Sequence, residues 1–132
     1  MAEMMQFDLV SPEHMVASFQ ASEVEIPGAE GDFCAMPDHA AVVTTMRPGI
    51  VKATGKGETR EFIVTGGFVE ITADATSVLA EVAVPRADVT REMLEGFVRE
   101  AETAATQASG TLLDAAEKRL ADTRVLSDLL GI

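Results

Sequence analysis

The sequence predicts a β-plus-α chain: an N-terminal antiparallel β-sandwich or barrel over residues 1–85, then a C-terminal antiparallel two-helix hairpin over residues 86–132. Three observations predict it. From Met5 to Val84, short apolar or alternating runs are cut every ~8 to 12 residues by turn residues, the texture of a sandwich or barrel. After Pro85 there is no further proline, and only Gly96 and Gly110 precede Gly131. In that second stretch the apolar residues move to three- and four-residue steps, the helical period.

The strand segments are "MQFDLV", "HMVASF", "EVEIPG", "DFCAM", "AVVTTM", "GIVKAT", "EFIVTG", "FVEIT" and "SVLAEVAV". Ser11-Pro12, Pro27-Gly28, Pro37-Asp38, Pro48-Gly49, Gly55-Lys56-Gly57, Gly66-Gly67 and Asp74 break them, and consecutive strands are expected to pair as hairpins. "GKGETR" lacks the spacing and following helix of a phosphate-binding loop and reads as a hairpin turn. "TGG", Thr65 to Gly67, lies between two strands, where glycine permits positive φ or a bulge.

In the helical part, Val89, Met93, Phe97, Ala101, Ala104, Ala105 and Ala108 form one apolar line, with Asp88 or Thr90 able to cap its start. Ser109-Gly110 ends that helix, and Thr111 is positioned to cap the next. The second line is Leu113, Ala116, Leu120, Ala121, Val125, Leu129 and Leu130. Stripes so rich in alanine approach closely but bury little area, so the hairpin is expected to be weakly held and able to take a second position.

At 132 residues the chain is large enough for one domain, or a small core with an appendage, without a stabilising disulfide or metal. Its single cysteine weakly favours a reducing compartment. The opening Met1-Ala2-Glu3-Met4 has no basic segment or apolar run, so no secretory signal is expected, and no apolar run reaches the ~20 residues of a membrane span. The formal net charge is −12, and eight acidic residues precede the first cation, Arg47. Such a surface repels nucleic acid and anionic lipid and suits a basic protein partner.

The densest gathering of reactive residue types is "IPGAEGDFCAMPDHA", residues 26–40, with Cys34, His39 and the three carboxylates Glu30, Asp32 and Asp38. Zinc needs three or four ligands, and the chain has one cysteine and two histidines, so no metal is expected. A nucleophilic cysteine needs an oriented base. Alternation in "DFCAM" sets Cys34 beside Met36 on one strand face, which reads as a small packed hydrophobe. A metalloenzyme built on Cys34 and His39 is therefore the weakest reading, and spacing alone indicates a binding module with no cofactor.

Taken together, "FDLVSPE" (7–13), "VEIPGAEGDFCAMPDHAAVVTTMRPG" (24–49), "FIVTGGFVEI" (62–71) and "VLAEVAV" (78–84) resemble the epsilon subunit of bacterial F-type ATP synthases. The resemblance implies a non-catalytic rotor component of the central stalk. Such a subunit binds the gamma subunit and rests on the ring of membrane c subunits, peripheral on the cytoplasmic face of the bacterial inner membrane. It couples proton-driven rotation of that ring to ATP synthesis in the catalytic head. In some members the hairpin folds against the sandwich or extends up the stalk and blocks ATP hydrolysis. The competing reading is a free-standing acidic β-sandwich adaptor.

The resemblance further implies a ring-docking edge containing Ser11, Glu30, Asp32, Asp38 and His39. Pro37-Asp38-His39 stands where the family often has Pro-Gly-His, and Cys34 where it often has glycine. In the hairpin, Asp88, Arg91, Lys118, Arg119 and Arg124 are the regulatory candidates, the last three facing the catalytic beta subunits if the arm extends. Ala87 and Glu92 depart from the family's nucleotide motif around Asp88 and Arg91, so ATP is not expected to bind. From Arg86 to Ile132 six cations stand against nine acids, and self-inhibition is expected to be weak.

Overall fold

The computed structural model describes residues 4–131; Met1 to Glu3, on which part of the leader expectation rests, and Ile132 lie outside the described residues. The chain divides into two compact units, the first ending at Arg86 and the second beginning at Ala87. Among the described residues no helix is long and apolar enough to cross a membrane.

The first unit is built from ten strands: β1 (Met5–Val10), β2 (Met15–Ala21), β3 (Glu23–Gly28), β4 (Gly31–Ala35), β5 (Val42–Met46), β6 (Gly49–Gly55), β7 (Glu58–Val64), β8 (Gly67–Ile71), β9 (Ala75–Ala80) and β10 (Ala83–Pro85). They hydrogen-bond in the order β10-β7-β6-β3-β5-β8-β9-β1-β2, with β4 added on β3. Every pair is antiparallel except β1 with β9, which run parallel. Sequence neighbours pair as hairpins at β1–β2, β3–β4, β6–β7 and β8–β9. The other consecutive strands do not pair, because at each of them the chain crosses between the β10-β7-β6-β3 half and the β5-β8-β9-β1-β2 half of the order.

Alternation fixes the core. On β1, Met5, Phe7 and Leu9 are buried while Gln6, Asp8 and Val10 point outward. Phe7 meets Phe19 of β2 edge-on at 5.2 Å and Phe62 of β7, six strands away in sheet order, at 6.3 Å, so the two layers meet over Phe7. The layers also approach by backbone at Gly55, where a Cβ would lie 2.3 Å from the Gln20 carbonyl. The β6–β7 connection is a two-residue turn with Lys56 and Gly57 at φ 53° and 78°, the positive values a tight hairpin requires.

The second unit contains α1 (Arg91–Gln107) and α2 (Thr111–Leu130), packed on each other. Thr90 caps α1, its hydroxyl accepting from the Met93 amide at 3.2 Å. Thr111 does not cap α2: Gly110 occupies that position at φ 64°, with no side-chain cap. The second apolar line is also displaced. Val125 and Leu129 are exposed, and Thr123 and Leu126 are the buried residues of α2. Thr123 escapes an apolarity search because its hydroxyl donates to the Arg119 carbonyl at 2.7 Å, which removes the cost of burying it.

Candidate functional site

Outward side chains of the sandwich are not uniformly polar. The register sets Thr45 opposite Phe68, Phe68 opposite Leu79, Leu79 opposite Val10, and Val10 opposite Met15, a single row across five strands. In it Met15 is 56% exposed, Phe68 53% and Leu79 47%. Single exposed apolar residues are ordinary, but the contiguous apolar part of this row, Phe68, Leu79, Val10 and Met15 across three ~4.8 Å strand spacings, is the mark of a covered surface. The next row, Val43, Glu70, Ser77, Asp8 and Ser18, is mostly polar. Beyond it Gln6 donates to both Asp8 and Ser18 at 2.9 Å, and Ser18 donates to Asp8 at 2.7 Å. This face thus pairs an apolar band with a fixed polar ladder. Sequence reading missed the band, because each member is one outward residue on a different strand and only the register aligns them.

The five expected docking residues do not form one patch. Ser11 closes the β1–β2 turn, its amide donating to the His14 carbonyl at 3.0 Å. Glu30 lies at the exposed tip of the β3–β4 turn, and Asp32 follows on β4, ion-paired with Arg47. These three lie at the end of the sandwich where β1, β3 and β5 finish, with Ser11 and Glu30 separated by the strands between β3 and β1. Asp38 and His39 stand at the other end. The Asp38 amide donates at 2.9 Å to Ala73 in the β8–β9 turn, and the next residue, Asp74, accepts from Gln6 at the start of β1. Asp38 holds φ 66°, and a His39 amide bond to Met36 at 3.1 Å closes the turn.

Cys34 is not on the packed face. Phe33 and Ala35 turn toward the core, and Cys34 lies outward opposite Glu25, its thiol donating to the Glu23 carboxylate at 3.4 Å. Ile26 and Val24 on β3 already fill the inner side, which forces Cys34 out. Partial burial, then the bond to Glu23 and the negative charges of Glu23 and Glu25, push the Cys34 thiol above its usual range. That is the reverse of an activated nucleophile. His39 is engaged elsewhere, at the Ala40 carbonyl, and among the described residues no three His, Cys, Asp or Glu side chains gather as a metal site.

In the hairpin, Lys118 pairs with Asp122 at 2.7 Å, Arg124 with Glu102 across the two helices at 3.1 Å, and Arg91 with Glu95 at 3.7 Å. Arg119 is also engaged, and Asp88 ends a single 3-10 turn at Arg86–Asp88. An open cleft between α1 and α2 is lined by Glu95, Glu102 and Asp128 against Arg99 and Arg124. Its excess of carboxylates does not favour a polyphosphate.

A family model described as ATP synthase, Delta/Epsilon chain, beta-sandwich domain, matches residues 4–86. The chain is 50% identical to an ATP synthase epsilon chain of Ruegeria sp. (strain TM1040), and 45% identical to one of Rhodobacter capsulatus, each over 100% of both chains. In fold it is similar to a chain in the Euglena gracilis mitochondrial ATP synthase, OSCP/F1/c-ring, with a TM-score of 0.72 at 18% identity over 96% of this chain and 81% of that one. It is likewise similar to a chain in the central stalk/c-ring structure of the Tetrahymena thermophila mitochondrial ATP synthase, with a TM-score of 0.67 at 18% identity over 98% of each.

Proposed function

The chain belongs to the delta/epsilon family of ATP synthase subunits, and on that premise we propose that it is a non-catalytic rotor component of the central stalk, bound to the gamma subunit and seated on the membrane c ring. The observation that carries the gamma contact is the apolar row Phe68, Leu79, Val10 and Met15, a surface shaped to be covered by another protein. The polar ladder beside it supplies fixed donors and acceptors that orient the partner. The subunit works at the cytoplasmic face of the bacterial inner membrane, held there by its partners.

Ring contact is assigned to two separate groups, Ser11, Glu30 and Asp32 at one end of the sandwich and Asp38 and His39 at the other. A symmetric ring repeats one loop around its axis, so separated groups can each meet a copy. The hairpin regulates weakly. Lys118 and Arg124, which an inhibitory arm would offer to the acidic surface of the catalytic beta subunits, are already paired inside the hairpin.

Co-purification tests this reading. The tagged full-length chain is expected to bring down the gamma subunit at stoichiometric yield, and to sediment with membranes only when gamma and the c ring are both present. A monomer with no affinity for gamma at micromolar concentration overturns it in favour of a free-standing acidic adaptor.

A further inference from the structure

The face that carries the apolar row also carries charge of one sign. None of its five strands, β5, β8, β9, β1 and β2, contains a lysine or arginine, and their only acids are Asp8 and Glu70, both in the row beside the apolar one. The two carboxylates are held differently. Glu70 is exposed, and its side chain makes no hydrogen bond or ion pair among the described residues. Asp8 is half-buried at the end of a directional chain of donors. Gln20 donates to Gln6 Oε1 at 2.6 Å, Gln6 donates to Asp8 Oδ1 and to Ser18 Oγ at 2.9 Å each, and Ser18 donates to the same Oδ1 at 2.7 Å. Both donors that reach Asp8 thus meet at one oxygen, and Oδ2 has no partner among the described residues.

We propose that Asp8 Oδ2 receives a cationic side chain of the partner that covers the apolar row, and that Gln6 and Ser18 are positioning residues that aim it. The proposal rests on the reading above in which that partner is the gamma subunit. Val10, in the apolar row, stands two residues from Asp8 on the same strand, ~7 Å away, so a partner that covers one reaches the other. Covering a carboxylate strips water from it, and two neutral donors on one oxygen leave its charge unbalanced. The five strands of the face offer no cation, so the partner must supply it. Asp8 suits this contact better than Glu70 because two bonds already fix its rotamer, and little side-chain freedom is left to lose on binding.

The test measures binding and dissociation of full-length variants on immobilised gamma subunit across a salt titration. Asp8→Asn is isosteric and keeps an acceptor for Gln6 and Ser18, but turns an amide donor toward the partner. It is expected to weaken binding about 30-fold, mostly through faster dissociation, and to reduce the salt dependence, with an unchanged midpoint of urea unfolding. Ser18→Ala keeps the charge and loses its aim. It is expected to weaken binding about threefold in the wild-type background and not at all in Asp8→Asn, a coupling that a merely structural role does not produce. Phe68→Ala is the control for the face: if it weakens binding while Asp8→Asn stays within twofold of wild type, gamma covers the face but Asp8 is not the charged contact, and the proposal is overturned. Weaker binding of Asp8→Asn with wild-type salt dependence means a neutral donor and overturns the cation. Equal losses from Ser18→Ala in both backgrounds overturn the positioning role. A wild-type chain with no affinity for gamma overturns the gamma reading, and this contact with it.

Discussion

Truncating Phe68 to alanine separates the stability of the sandwich from the work of its outer face. Phe68 is 53% exposed on the outward side of β8, while its strand neighbours Val69 and Ile71 carry the core contacts. A phenylalanine presents ~200 Å² in all, so ~100 Å² is left for a partner to cover. At ~25 cal/mol per Å² that surface contributes at most about 2.5 kcal/mol of binding, and residual methyl contacts and imperfect fit reduce it to about 1.5–2.5 kcal/mol. The gamma subunit should therefore bind the variant about 10- to 70-fold more weakly by titration calorimetry. The unfolding free energy should move by no more than about 0.5 kcal/mol, as for other exposed positions. An affinity within twofold of wild type, or a loss of folding stability as large as the loss of binding, refutes the assignment of this row to the interface.

Three further outcomes follow from the same geometry. Gly67→Ala should cost about 3 kcal/mol or more in urea unfolding, since φ is +131° and a Cβ would lie 2.1 Å from the Leu79 carbonyl; Gly57→Ala, at φ +78° with open space around it, should cost only about 1 kcal/mol. Because the Cys34 thiol is raised, its thiolate fraction at pH 8 is below that of a free cysteine, so alkylation should be slow, its pH midpoint should lie above the usual thiol range, and Glu23→Gln should quicken it; a free-thiol rate indifferent to Glu23→Gln contradicts the geometry. Deleting residues 88–132 should leave ATP hydrolysis by the assembled enzyme within about twofold, below the usual range of an allosteric coupling, and a large rise would sink the weak-regulation proposal.

The β6–β7 hairpin turn and the strand alternation were legible because each is set by neighbours within a few residues. "GKGETR" declares a turn by its glycines, and Met5, Phe7 and Leu9 declare a buried face by alternation. Cys34 was misplaced because alternation gives two faces without saying which is inner. Phe33 and Ala35 take the core side only because β4 pairs with Val24 and Ile26 of β3. The α2 stripe slipped for a related reason: a threonine bonded to its own helix counts as apolar for packing, and hydropathy does not record that bond. The candidate surfaces were least legible of all. Which outward residues align, and which turns share an end, is decided by strand order, and the parallel β1–β9 pairing is a long-range choice that no local pattern announces.

That strand order also gives the sandwich two different kinds of surface for two different demands. A contact that must transmit torque without slipping needs buried area and fixed partners, and the face of β5, β8, β9, β1 and β2 supplies an apolar band beside a preorganised ladder. A contact to a repeating ring surface needs register more than area. On the proposed ring-docking reading, the exposed Glu30 and the Arg47-paired Asp32 of the β3–β4 turn select orientation through charge and add little binding energy of their own. If the two surfaces work this way, Phe68→Ala and Glu30→Gln should separate cleanly: the first lowering gamma affinity at every salt concentration, the second altering membrane association only where salt is low. Equal salt dependence in both variants would mean that one surface serves both partners, and the division drawn from the register would be wrong.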